Sequence, residues 1–380
     1  MNIIYVENVR IPSGRAHAYQ IAQTCAWFGA IGADVTLVNP ARAEGKDVFA
    51  AYGLPRDGFR HVTLPSLDPL AWSWFPSKRL AYGFQRWAFV RALAAWSRDR
   101  HPDIWYTRDP AMVDVLTRPD RRIALELHDA PDSNPKRWER IKERVTWFIV
   151  ISDGLRGKLV SLGIPAERIR VAHDGYDPAD FGTLIPREEA RRSLDVPPDA
   201  FVAFYLGTFY PWKGVDLVVR AWAKTDPRMH LVLIGGPEAD ARRLKGLVAA
   251  SSSTRVHLIP PKEHRDAVRL LPAADVALLT TSPDHEIGRS YTSPLKLFEY
   301  LAAGLPILAS DVPSSHEVLD ESVARFYPST ETGFVDALAA MAGDPTWRAS
   351  ASIEAKQVVR PYSWEARTRS IYDFIRLPGV

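Results

Sequence analysis

The chain has 380 residues and a mass of 42.6 kDa, more than one hydrophobic core usually organises, so about two domains are expected. Hydrophobic residues at 46%, charged at 24% and aromatic at 11% give it enough apolar surface to fold by burial. Its net charge of +3, divided into +4 through Asp180 and −1 beyond it, excludes a polycationic surface and nucleic acid as a partner, and the single cysteine, Cys25, excludes an internal disulfide.

Short runs rich in branched and aromatic residues recur between segments of helical periodicity: Asn2 to Val6, Asp34 to Val38, Asp103 to Thr107, Ile123 to Leu127 and Thr146 to Ile151. Strands that are apolar almost throughout belong to a parallel sheet covered by helices on both faces. After a proline- and charge-rich passage from Asp177 to Asp199 the pattern restarts, at Phe201 to Leu206, His230 to Ile234, Arg255 to Ile259, Asp275 to Thr280 and Pro306 to Ser310. The predicted fold is α/β, with two Rossmann-like doubly wound domains facing a cleft where the function sits. The predicted boundaries are 1–182, 183–360 and a final helical stretch, 361–380, returning to the first domain.

No apolar run reaches the roughly 18 residues that span a bilayer. Only two residues precede the first apolar run, leaving no basic signal-peptide head. The expectation is a cytoplasmic protein, at most peripheral at the inner face of a membrane. Val6 is followed by a stretch with one glycine, Gly14, instead of the spaced glycines of a dinucleotide site. Phosphate-loop, zinc-helix and nucleophile-elbow motifs are absent too, and the ten histidines lack paired spacing. No metal or cofactor is expected.

The stretch from Ser293 reads SPLKLFEYLAAGLPILASD. Ser293 suits an N-cap, Pro294 the first helical position, and Gly304 the end of a helix of about ten residues. Free amides at its start, at Leu295 and Lys296, make an anion site to which the Lys296 ammonium adds charge. Glu299 lies about two turns further on, roughly 8 Å at ~1.5 Å per residue, the span from a phosphate to its ribose. Lys296 and Glu299 share one face, so the carboxylate need not be buried, and a solvated surface pair is the plainer alternative. Strand Phe201 to Leu206 runs into GTFYPWKG, where Gly207 permits close backbone approach and Lys213 stands at the next helix start.

Together, in this order, these stretches resemble the second domain of the retaining glycosyltransferases of family 4, which have the GT-B fold. The passage from Val150 to Phe181, with its run Asp174, Gly175 and Asp177, resembles the close of that family's first domain. LELHDAP around His128 resembles a strand end whose histidine lies near the transferred sugar. PSGRAHAYQIAQTCAWFGA resembles the first loop and helix, whose glycine, here Gly14, lets the donor diphosphate approach. The resemblance makes Glu299 the ribose-binding second glutamate of a pair and Lys213 the diphosphate-binding lysine. The first glutamate falls on Tyr291, leaving Glu286 or Asp284 as substitutes, and the arginine that partners the lysine falls on Thr208.

The implied activity is retaining, metal-independent transfer of a sugar from a nucleoside diphosphate sugar to an acceptor hydroxyl, in cell-surface polysaccharide or glycoconjugate synthesis. Lys213, Glu299 and His128 are the implied catalytic residues. Gly14, Gly207, Thr208, Tyr291, Ser293, Pro294, Leu295 and Lys296 are further donor contacts. Arg15, His17, Arg108 and Asp109 are acceptor candidates because they follow first-domain strand ends. A catalytically inactive nucleotide-sugar-binding partner subunit and a nucleotide-sugar epimerase are the alternatives. The stretch Ala71 to Trp96 interleaves aromatics with Lys78, Arg79, Arg86 and Arg91, suiting a membrane with a lipid-linked acceptor. The favoured expectation there is a regular helix packing Phe84 and Trp87 inward, its arginines solvated.

Overall fold

In the computed structural model, residues 1–41, 46–72, 77–131, 134–236, 238–251 and 254–377 are described. The chain forms two compact units. The first contains a seven-stranded parallel sheet: β1 (Asn2–Val6), β2 (Asp34–Pro40), β3 (Arg60–Leu64), β4 (Ile104–Thr107), β5 (Ile123–Leu127), β6 (Trp147–Val150) and β7 (Ile169–Val171). Their order across the sheet is β3-β2-β1-β4-β5-β6-β7. The second contains six parallel strands: β8 (Phe201–Leu206), β9 (Met229–Ile234), β10 (Val256–Ile259), β11 (Val276–Leu279), β12 (Ile307–Ser310) and β13 (Ala324–Tyr327), ordered β10-β9-β8-β11-β12-β13. In each sheet the winding direction reverses beside the first strand, between β1 and β4 and between β8 and β11. The carboxyl ends of those strand pairs are the places where ligands bind in such sheets.

Alternation along each strand builds a core on both faces of the sheet. Along β8, Val202 and Phe204 enter a core with Leu297, Phe298 and Leu301, while Ala203 and Tyr205 enter another with Val215, Val219 and Trp222. The sequence reading missed β3, β7 and β13. β3 and β13 are edge strands, RHVTL with its polar and half-exposed positions and ARFY with a half-buried centre; β7 is three residues long with an exposed arginine between apolar neighbours. Edge strands lack a neighbour on one side, so they escape the unbroken apolar signature of buried ones.

The boundary expected near Gly182 falls between Ala172 and His173. β7 closes the first sheet, and the chain then turns to the second unit. There the Asp174 amide donates to Ser293 Oγ at 3.0 Å, and Tyr176 and Phe181 pack on the second core. Residues 152–154 group with the second unit as well, and the chain rejoins the first unit at Trp364. The last helix, Trp364–Ile375, buries Ile371, Phe374 and Ile375 in the core that contains Ile3, Tyr5 and Ala22.

Candidate functional site

In the second unit, side chains gather at the ends of β8 and β11. The helix Leu295–Ala302 is held there because Tyr300 Oη accepts the Leu206 amide at 2.8 Å. Pro294 occupies the cap position with no side-chain cap, and Ser293 is not the N-cap expected from its residue type: its Oγ is taken by the Asp174 amide. The helix is therefore eight residues long, because Pro294, with its extended backbone, stands outside it.

Lys296 and Glu299 are both buried on this helix, which excludes the alternative of a solvated surface pair. The reason is that the helix is covered on nearly all sides, its Leu297, Phe298, Tyr300 and Leu301 being buried as well. The Lys296 ammonium sits over the Tyr205 ring, Nζ 3.4 Å from the centroid, and has no hydrogen-bond partner among the described residues. Burial, with the nearby Lys213 charge, pushes its pKa far below the usual lysine range, against the pull of Glu299.

Gly207 lies beside this ammonium. Its φ of +134° is a conformation that side chains other than glycine's resist, and a Cβ placed there would stand 3.9 Å from Lys296 Nζ. Thr208 offers its carbonyl to Tyr205 Oη at 2.7 Å, which fixes the ring under the ammonium. Lys213 ends a tight turn, Pro211–Lys213. That turn is stapled to the end of β11, since Thr280 Oγ1 donates to the Lys213 carbonyl at 2.5 Å and the Ser282 amide to the Trp212 carbonyl at 2.8 Å. Gly214 follows with φ +70°, and a Cβ on it would come within 3.2 Å of Thr281. Desolvation lowers the Lys213 pKa to about 7, with Asp174 opposing the shift.

Glu299 faces His264, a residue the sequence reading did not single out. His264 Nδ1 is 3.6 Å from Glu299 Oε1 and its Nε2 is 3.6 Å from Asp180 Oδ2, while Arg265 Nε donates to Asp180 Oδ1 at 2.9 Å. Burial raises the Glu299 pKa although His264 counteracts it. The two carboxylates raise that of His264 despite its own desolvation. Tyr291 Oη donates to Glu286 Oε1 at 2.6 Å, so the phenol orients the carboxylate considered as its substitute. Asp284 instead accepts from Ser282 Oγ at 3.2 Å.

The first unit carries its own polar cluster at the ends of β1, β4 and β5. Glu7 is buried and accepts the Arg108 amide, and desolvation lifts its pKa to about 8. Arg108 holds Gln20 Oε1 with both terminal nitrogens at 3.2 Å. His17 is half-buried, and desolvation together with Arg108 and Arg15 drops its pKa to about 4. Asp109 caps the helix Pro110–Leu116 by accepting the Ala111 amide at 2.8 Å, a structural duty that competes with contact to an acceptor. Arg15 is exposed at the start of the helix Ala16–Ala30. A Cβ on Gly14 would meet nothing, so the protein itself does not demand glycine there.

His128 is satisfied by Glu126, Nε2 to Oε1 at 2.5 Å, and not by the neighbouring Asp129. Glu126 also accepts from the Tyr106 hydroxyl and, at 2.7 Å, from Arg367 of the last helix. Its pKa ends well below the usual carboxylate value: burial pushes it up, and Arg367 and His128 more than reverse that. Burial and Arg108 lower the His128 pKa to about 3, which leaves a neutral imidazole. Sequence reasoning missed Glu7, Glu126 and Arg367. A carboxylate in the middle of the apolar run IALEL was the signal that Glu126 has a buried partner.

Two doubly wound parallel sheets, with lysines at the switch point of the second, define a GT-B glycosyltransferase fold. Residues 18–180 match the profile of Glycosyltransferase Family 4, and residues 200–344 that of Glycosyl transferases group 1. The chain belongs to the family-4 glycosyltransferases. It is 28% identical over 273 residues to the D-inositol 3-phosphate glycosyltransferase of Saccharomonospora viridis, covering 67% of this chain and 62% of that protein. Identity to the protein of the same name from Mycobacterium tuberculosis is 29% over 265 residues, covering 66% and 53%. The match thus spans between half and two thirds of these relatives' length. Similar solved structures are a sucrose-phosphate synthase from Thermosynechococcus elongatus, with TM-score 0.78, 19% identity and 99% and 98% of the two chains covered, and Anabaena Alr3699/HepE in complex with UDP and glucose, with TM-score 0.76, 15% identity and 99% of each. At such identities the likeness is one of fold.

Proposed function

We propose that the protein transfers a sugar, with retention at the anomeric carbon, from a nucleoside diphosphate sugar to a hydroxyl of a carbohydrate or lipid-linked acceptor on the cytoplasmic side, in cell-surface polysaccharide or glycoconjugate synthesis. The observation that carries this reading is the Lys296 ammonium, buried without a hydrogen-bond partner beside Gly207 and close enough to Lys213 to feel its charge. Burial disfavours the charged form of this lysine, and a diphosphate supplies the counter-charge that restores it.

Lys296 then takes over the charge that Thr208 in place of arginine forgoes. With Lys213 it neutralises the departing diphosphate, the task a metal ion performs in other transferases. The bond between the anomeric carbon and the diphosphate oxygen breaks and one to the acceptor oxygen forms. The acceptor proton passes to the leaving phosphate on the same face. Glu299, placed by His264, accepts hydrogen bonds from the ribose hydroxyls. Glu286, held by Tyr291, serves the sugar hydroxyls, and His128 serves the sugar as a neutral hydrogen-bonding group.

The Anabaena protein was solved with UDP, which makes UDP the first nucleotide to try. Thermal shift with UDP, GDP and ADP tests the reading: a ligand at 100 times its dissociation constant adds about 2.7 kcal/mol of apparent stability. No shift with any of the three defeats it. Turnover assays then follow the bound nucleotide's sugars over a panel of acceptors.

A further inference from the structure

The helix Lys78–Trp96 carries four cations, Lys78, Arg79, Arg86 and Arg91, and no acidic residue. Its buried stripe is Ala81, Gln85, Phe89 and Leu93. Gln85 ties it down, Nε2 donating to Asn8 Oδ1 at 2.8 Å while its carbonyl accepts from Ser66 Oγ at 3.3 Å. Leu80, Phe84 and Trp87, spaced by four and three, stand roughly 150° away around the helix at ~100° per residue. They are 57%, 53% and 56% exposed. This reverses the favoured expectation that Phe84 and Trp87 pack inward: Phe89 and Leu93 fill the core and fix the helix's rotation. Residues 73–76 of the interleaved stretch lie outside the described residues.

Three large apolar side chains on one exposed face of a helix whose charged residues are all cations are poorly matched to water. They are equally ill suited to a second copy of the same face, because like charges would meet. Arg91 rests on Trp87, its guanidinium carbon 5.2 Å from the ring centroid, an arrangement that suits the boundary between acyl chains and phosphates. Among the described residues no helix is long and apolar enough to cross a membrane, so contact through this face is interfacial.

We propose that the face made by Leu80, Phe84, Trp87 and the flanking cations docks the protein on an anionic lipid bilayer. It belongs to the first unit alone and is independent of the donor reading. The test is co-sedimentation of the full chain with vesicles of phosphatidylcholine containing about a third phosphatidylglycerol, against pure phosphatidylcholine, at low ionic strength. The wild type pellets with the anionic vesicles. The variant Leu80→Gln/Phe84→Gln/Trp87→Gln partitions at least ~10-fold less, and neutralising Arg79 and Arg91 lowers partitioning about fivefold per charge. Both variants keep the wild-type melting midpoint and UDP-induced shift.

A wild type that stays in the supernatant overturns the proposal, as does a triple variant that pellets like it. Ultracentrifugation in which the triple substitution abolishes a dimer, with vesicle binding unchanged, assigns the face to self-association instead.

Discussion

The Lys296 ammonium lies 3.4 Å from the centroid of the Tyr205 ring and has no hydrogen-bond partner among the described residues. The aromatic face offsets only part of its desolvation, so the site is unfavourable until an anion arrives. Lys296→Met should leave the nucleotide-free protein at least as heat-stable as the wild type and weaken UDP binding about 10- to 100-fold, the range of a charge-assisted contact. Calorimetry with UDP reads the second effect and a melting curve the first. A variant that is destabilised and still binds UDP normally would make Lys296 a structural residue.

In the proposed function Lys213 meets the charge that develops as the diphosphate departs. Lys213→Ala should lower turnover by at least ~100-fold. Wild-type turnover in that variant removes Lys213 from the mechanism.

The two lysines also couple binding to protons. Burial holds the Lys213 pKa at about 7 and that of Lys296 well below normal. Asp174 pulls Lys213 the other way, and Glu299 does the same for Lys296. A bound diphosphate favours both charged forms and raises both pKa values, so protons are taken up on binding and UDP affinity falls as pH rises beyond about 7. Binding enthalpies measured in two buffers of different ionisation heat should differ accordingly, and identical enthalpies around neutral pH would rule out proton uptake.

In the proposed function Glu299 holds the ribose. UDP should bind wild type more tightly than 2′,3′-dideoxy-UDP by ~10-fold or more, as expected for hydrogen bonds to a charged group, and Glu299→Ala should abolish that difference. His264→Gln, which loosens Glu299 without removing it, should raise the donor KM more than it lowers kcat. Equal discrimination by wild type and Glu299→Ala places the ribose elsewhere.

Arg367 and Glu126 form a salt bridge at 2.7 Å with each side chain only 2% exposed. Arg367→Met should cost about 3–5 kcal/mol by stranding the carboxylate. Chemical denaturation of the full chain, followed by probes in the first unit, measures this loss. It should be smaller when Glu126→Gln accompanies it.

Much of the fold was legible in the residues. β1, β5 and β8 were read with their observed limits, because a strand covered on both faces must be apolar nearly throughout. Edge strands such as β3 obey no such rule. Lys213, Gly207, Lys296 and Glu299 were legible as a group, since a strand end followed by a glycine turn and a helix start is a local pattern. His264 was not: it lies on the short helix His264–Val268 and reaches Glu299 and Asp180 only through the packing of distant segments.

The sequence by itself determined two α/β units and which residue types stand at their strand ends, because burial periodicity and turn chemistry are local properties. Only the tertiary structure decided how those residues are used: that Ser293 receives the Asp174 amide and does not cap its helix, and that Lys296 and Glu299 are buried. It also decided that His128 leans on Glu126, and that Phe84 and Trp87 face outward. Each of these depends on which segment covers a side chain, and coverage comes from contacts between residues far apart in the chain, where local periodicity carries no information.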